Sequence, residues 1–468
     1  MTPRSCAKCA KALALAIVAP LVLSACGLSH THLQPAASVQ KENAVVNWPG
    51  WQWGQYGIPG IPVVTGIQFG YGVSVGPHGG VYYASFNGRS ISRFSNGGPA
   101  TPMIAGLQCP PVQVAVASTG NVYFTEQCGN VVEWVRQTSS FRLLASGYSA
   151  ASGIAVAPDG TVYFTQGSHL YAIQGGSILP VAGGLNIAEG LAVGPNGDLY
   201  VGEYGNPNTA NAAPASQRQS LSGRIVRVNP TTGQVEVLAS GLWRVRNIAL
   251  GPHGSVYFVE ESNYDDQGNS GTLGKVLPTG KVETLMYDID YPEGVAVATD
   301  GSIYFTAERG QQVNAGTMLF RYEPGMAAAS VSDLAHGVTV ISLHGNVSAT
   351  ATKSTVTITR TAGTSPSSVF LIVPRDLIDW SVNTNIPLPM PGSWSPLPKF
   401  VARSGGSALG IDVWMLRRHQ GRRWPTQMVS GREVMAPGFS ETPLAFIAYV
   451  QLPAGSGPVE VRWPAPAP

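Results

Sequence analysis

The sequence predicts an all-β protein, a six-bladed β-propeller followed by a C-terminal antiparallel β-sandwich, and three observations lead there. First, a phrase typified by GLAVGPNGDLYVGE (190–203) returns six times, centred on Tyr82, Tyr123, Tyr163, Tyr200, Tyr257 and Tyr304. Each tyrosine has a glycine three positions before it (Gly79, Gly120, Gly160, Gly197, Gly254, Gly301) and a valine or leucine seven before it. Successive copies lie 41, 40, 37, 57 and 47 residues apart, the length of four short antiparallel strands with their turns, which is one propeller blade. Second, only 12% of residues are charged while the chain holds 56 Gly and 36 Pro, a composition of turn-rich β-structure. Third, beyond about Gly337 the phrase stops. Alternating runs such as STVTITR, SVFLIVP and LAFIAYVQL take over, separated by Pro-rich and Gly-rich turns, as in a sandwich.

The chain opens on a basic start (Arg4, Lys8, Lys11), an apolar run and then Leu23-Ser24-Ala25-Cys26. Those four residues resemble a bacterial lipobox, so 1–25 reads as a lipoprotein signal peptide and Cys26 as the lipidated first residue, with palmitate among its acyl chains. An ordinary secretory signal cut nearby is the other reading. The resemblance implies a protein held in the cell envelope by its lipid anchor and facing the periplasm or exterior. Gly27, where inner-membrane lipoproteins typically carry Asp, favours the outer membrane. Residues 26–43 form a polar tether. Without the three basic leader residues, 25 basic side chains face 26 acidic ones, so no nucleic-acid partner is expected.

The propeller is expected over 44–336 and the sandwich over 337–468. Trp48, Trp51, Trp53 and Tyr56 come before the first repeat and should pack against a domain end. Each copy then reads as an alternating strand, a tight turn and a β-branched or aromatic strand, as in AVAPDGTVYFT, with a positive φ expected at the turn glycine. IPVVTG (61–66) resembles a blade's fourth strand, yet 330–334 looks like the sixth blade's own fourth strand. One strand is left over. Either 61–66 supplements six blades, or it closes a seventh, degenerate blade built from 338–360; six is preferred because 338–360 lacks the Tyr and Pro of the repeat. Cys109 and Cys128 flank the second repeat where the connections emerge on one face, which leaves a disulfide and a pair of free thiols both open.

Inner strands of a propeller begin at one end of a central channel, so the residues eleven before each Tyr converge there: Tyr71, Val112, Ser152, Glu189, Arg246 and Glu293, with Gln113 and Asn247 beside two of them. Polar groups at the mouth of a channel walled by Ala and Val suit a small-molecule site. Glu189 and Glu293, with Asn247, would hold Ca2+ or Mg2+ through oxygen, or one glutamate would act as a catalytic base. Against this, Arg246 stands where it neutralises both. Glu203 and Glu260 lead into long polar connections on the same face and are expected to take part in binding. The second connection carries Asn263, Asp265, Asp266, Gln267 and Asn269, a calcium loop in composition only. Arg417, Arg418, Arg422 and Arg423 read as a solvated loop, and His78 and His253 as surface turn residues.

Through GLAVGPNGDLYVGE, GIAVAPDGTVYFTQ (153–166) and GVAVATDGSIYFTA (294–307), the chain resembles the NHL-repeat and streptogramin-lyase group of propellers, and more distantly the gluconolactonase group, over about 61–334. In gluconolactonases a Glu, an Asn and an Asp hold the catalytic metal. YPEGVAV (291–297) resembles the Asp segment with Glu293 in its place, and VRNIAL puts Arg246 at the Asn ligand position. In the streptogramin lyases His and Glu residues work around magnesium, and here no His precedes a well-formed repeat. Two functions follow: a lipid-anchored propeller that binds a ligand or partner protein through its top face, or a divalent-metal-dependent hydrolase or lyase working at the channel mouth. The arginine among the carboxylates favours the first.

Overall fold

The computed structural model describes residues 60–95, 99–205, 223–261, 270–308, 317–324, 330–343, 347–360, 367–379, 399–416, 426–429, 432–435, 445–453 and 457–466. Cys26, the aromatic cluster 48–56, the connection 206–222, the Asn/Asp run 263–269 and the four arginines between 417 and 423 lie outside them. Among the described residues six sheets are four-stranded and antiparallel, two are five-stranded, and one is a two-stranded hairpin. The inner strands Gly70–Val75, Pro111–Val116, Ala151–Val156, Ala188–Val193, Arg244–Leu250 and Gly294–Val297 each pack on the next, and the last packs back on the first. That closed ring is a propeller. All six turn glycines of the repeat have positive φ, from +73° at Gly79 to +87° at Gly160 and Gly197.

Close approach at the ring explains the phrase's first glycine, ten residues before the Tyr. A Cβ on Gly294 would lie 2.3 Å from the Tyr71 carbonyl oxygen, and one on Gly190 would lie 2.7 Å from the Ile248 nitrogen. Threonines two residues after the Tyr tie blade to blade. Thr125 Oγ1 donates to the Ser152 carbonyl (2.7 Å), Thr165 Oγ1 to that of Ala188 (2.9 Å) and Thr306 Oγ1 to that of Tyr71 (2.8 Å). The same hydroxyls accept the N–H groups of Gln113, Gly153 and Gly294 from their own inner strands. In blades 2 and 3 this satisfies backbone groups that a register shift, between Pro111 and Val114 and between Ala151 and Ile154, takes out of the ladder.

The leftover strand resolves as the six-bladed reading has it, with 61–66 outermost, but 330–334 is not the sixth blade's own fourth strand. Ile61–Ile67 pairs antiparallel with Thr317–Tyr322 as the outer strand of the sixth blade, so the ring is latched by its N-terminal strand. Ser330–Asp333 instead folds across the turn Ala335–Gly337 onto Thr339–Ser342 and joins a five-stranded sheet, which carries the second domain back to Ser330. No seventh blade forms from 338–360, because its strands divide between the two five-stranded sheets. One edge was available to two candidates. Ile61 and Ile67 bury their side chains there, whereas Ser330–Asp333 alternates half-buried with exposed and has less apolar area to gain.

Alternation sorts the sandwich's side chains cleanly. Val340, Leu371, Phe446, Ala448 and Val450 face the core shared with Val356, Val459 and Val461 of the other sheet. Ile341, Phe370, Ile372, Ile447 and Tyr449, from the opposite face of the same strands, pack against Ile61, Met318, Phe320 and Tyr322 of the sixth blade. A sheet buried on both faces reads as an unbroken apolar run, as SVFLIVP does.

Candidate channel-mouth site

Arg246 enters the channel from the fifth blade's inner strand and is buried. Its Nε and Nη2 lie 2.8 and 2.5 Å from Glu261 Oε2, Nη1 lies 3.3 Å from Glu189 Oε2, and Nε lies 3.6 Å from Glu293 Oε2. The Tyr204 ring sits 4.7 Å from the Arg246 guanidinium carbon and 5.0 Å from that of Arg244, whose Nη1 reaches Glu261 Oε1 at 4.0 Å. Blades 4, 5 and 6 thus set three carboxylates against two guanidinium groups. Burial works against the Arg246 charge, but Glu261, Glu293, Tyr204 and Glu189 outweigh it and hold the pKa well above the ordinary arginine value. Glu189 shifts upward too, because burial outweighs Arg246 there. Tyr71 is a neutral phenol, pushed up by burial and then by Glu293. Its ring lies 5.2 Å from those of Phe69 and Phe86.

Gln113 and Asn247 fall at the repeat position that is glycine in the other four blades. Asn247 Nδ2 donates to Gln113 Oε1 at 2.7 Å, both side chains buried. Blades 2 and 5 are three steps apart in a ring of six, so this amide bridge spans the channel. Each partner removed alone leaves the other unsatisfied, so Gln113→Ala and Asn247→Ala should each cost about 1–3 kcal/mol. In urea denaturation the double variant should lose less than the sum of the singles; additivity within about 0.3 kcal/mol would show the bridge is not energetically coupled.

The remaining sequence-predicted residues go elsewhere. Glu203 and Glu260 do not face the channel. Glu203 pairs with Arg224 at 2.5 Å and accepts the Asn186 N–H, while Glu260 accepts the Trp243 N–H at 2.8 Å and Thr272 Oγ1 at 2.7 Å. Both clasp the chain entering their blade's inner strand. Gln166 does the same through the Ser149 carbonyl, and Ser85 through that of Gln68. Ser152 offers its carbonyl to Thr125, and its hydroxyl lies 3.5 Å from the Glu189 carbonyl. Val112 is buried, and His78 and His253 are exposed in left-handed turns. Cys109 and Cys128 are joined, with Cα atoms 6.0 Å apart. Sequence reasoning missed Glu261, Tyr204 and Arg244. Glu261 and Tyr204 share one repeat position, four after the Tyr, and that shared register was the available signal.

The oxygen set Glu189, Glu293 and Asn247 does not fit a divalent cation as arranged. The Arg246 guanidinium lies against both carboxylates, and Asn247 Oδ1 accepts the Ile248 N–H at 2.6 Å. Among the described residues, the one group of Cys, His, Asp and Glu side chains close enough to hold a metal is Cys109, Glu126 and Cys128.

No protein-family model matches the chain, and no curated protein matches it significantly. Solved structures do. The virginiamycin B lyase of Staphylococcus aureus is 15% identical with a TM-score of 0.39, the match covering 55% of this chain and 97% of that one. The calcium-binding protein regucalcin of Agrobacterium tumefaciens is 14% identical at 0.43, covering 57% and 96%. A glucose dehydrogenase is 14% identical at 0.41, covering 56% and 99%. By its own ring of sheets the chain is an all-β propeller, and solved structures named for a lyase, a calcium-binding protein and a dehydrogenase are similar to it.

Proposed function

We propose that this chain is a lipid-anchored, extracytoplasmic propeller that binds a polar ligand or a partner-protein segment at its channel mouth. The observation that carries the reading is the placement of Arg246, whose donors are spent on Glu189, Glu261 and Glu293. Such a group rigidifies a recognition surface and leaves no carboxylate disposed to act as a base. Glu189 (side chain 21% exposed) and Arg244 (26%) are what the cluster offers to solvent, an acceptor and a donor beside the Tyr204 ring. The lipobox-like residues ending at Cys26 support the anchor.

A metal-dependent hydrolase or lyase is the second reading, favoured by the three carboxylates that stand with two guanidinium groups among the described residues. Thermal melts of the purified protein against a panel of polar metabolites and envelope saccharides separate the two. Binding predicts a compound that raises the melting temperature, with Glu189→Gln weakening it about tenfold or more through loss of a charged hydrogen bond. Stabilisation by Ca2+ or Mg2+ that Glu293→Gln abolishes would instead establish the metal reading.

A further inference from the structure

Glu126, Glu203 and Glu260 occupy one position of the repeat, three after the Tyr, and all are buried. Glu203 is neutralised by Arg224, which stands opposite it on the neighbouring strand. At the corresponding place beside Glu126 the chain has Asn130, whose Nδ2 donates to Glu126 Oε2 at 2.8 Å and to Cys128 Sγ at 3.2 Å. An amide thus stands where blade 4 has a cation, with a sulfur beside it. Cys128 Sγ is 3.7 Å from Glu126 Oε2, and the ligand atoms of Cys109, Glu126 and Cys128 all fall within 4.8 Å of one another.

The Cys128–Glu126 separation matches one edge of a coordination polyhedron. In a tetrahedral site with metal–sulfur near 2.3 Å and metal–oxygen near 2.1 Å, sulfur and oxygen are about 3.6 Å apart and two sulfurs about 3.8 Å apart. The carboxylate oxygen is already at that distance from Cys128. Cleaving the S–S bond frees the sulfurs to separate on Cα atoms 6.0 Å apart by side-chain rotation alone.

We propose that Cys109 and Cys128 in their dithiol form, together with Glu126, constitute a site for a thiophilic divalent cation of the zinc type, and that the disulfide is the closed state of that site. An external dithiol opens it through a mixed disulfide: it gives up two electrons and two protons, leaves as its own disulfide, and the protein gains two thiols. Cation binding then releases the two thiol protons to solvent and leaves both sulfurs as thiolates. Cys128 is exposed and provides entry, Asn130 orients the carboxylate, and water completes the coordination.

The test is a Co2+ titration of the purified protein after reduction with a phosphine, which leaves no competing thiol. The reduced protein should take up one equivalent with a thiolate-to-cobalt charge-transfer absorption that Zn2+ displaces, while the disulfide form should show none. Cys128→Ser should lose the absorption, and Glu126→Gln should weaken Zn2+ at least tenfold. If Glu126→Gln does not fold, Asn130→Ala, which frees the carboxylate from its holder, should weaken Zn2+ about tenfold. The proposal is overturned by a reduced protein without the absorption, by unchanged Zn2+ affinity in whichever of these two variants folds, or by loss of the near-ultraviolet circular dichroism on reduction, since the site exists only on an intact blade.

Discussion

Arg246→Met is expected to cost about 3–5 kcal/mol at neutral pH, a large share of a domain's stability. The side chains are of similar length, so packing changes little; what changes is the charge that Glu261, Glu189 and Glu293 now face. The pH dependence separates this cause from a simple cavity. Burial already holds Glu189 above its ordinary carboxylate range against the pull of Arg246, and removing that pull raises it further. A carboxyl whose folded pKa exceeds its unfolded one binds more protons in the folded state, so stability falls as pH rises through that window. The deficit should be large at about pH 7.5 and shrink toward about pH 3, below the ordinary glutamate value of about 4.3, where the carboxyl is protonated in both states. Urea melts of parent and variant at the two pH values measure it, and a deficit independent of pH would assign the loss to packing.

The ring was legible because its determinants are local. The turn glycines and the fixed Tyr can be counted along the chain, and the shared offset of eleven residues before the Tyr, on propeller topology, brings Arg246 to Glu189 and Glu293. Glu261 was missed because two acids end the second strand of blade 5, and only the pairing register tells which one faces the channel. A register shift between Val245 and Asn247 makes Arg246 the extra residue of a bulge, so counting by twos fails just there. Gln113 and Asn247 were visible as departures from the repeat's glycine, but their hydrogen bond depends on blades 2 and 5 being opposite, which required the blade count. The latch was legible as a strand but not as the winner of its edge: 61–66 and 330–334 have similar local patterns, and the choice between them is made by burial across distant chain segments.

Loss of that latch is the second large effect expected. Among the described strands of the propeller, Ile61–Ile67 alone has its blade partners at the far end of the propeller's sequence, pairing Ile61 with Arg321, Pro62 with Phe320 and Ile67 with Thr317. Removing it exposes the partners of two buried isoleucines, at about 1.5–3 kcal/mol each, besides the ladder's hydrogen bonds. It also strips one wall from the core that Phe320 and Tyr322 share with Ile341, Phe370 and Tyr449, so both domains should feel the loss. A chain starting at Gln68 should therefore melt at least about 10 °C below one starting at Gly60, or expose the Thr317–Tyr322 edge and self-associate. A synthetic peptide covering 60–68, added in trans, should restore the transition, because the groove it fills is specified by the register. Equal melting of the two chains, or no rescue by the peptide, would mean that the ring is held shut by its inner-strand contacts alone.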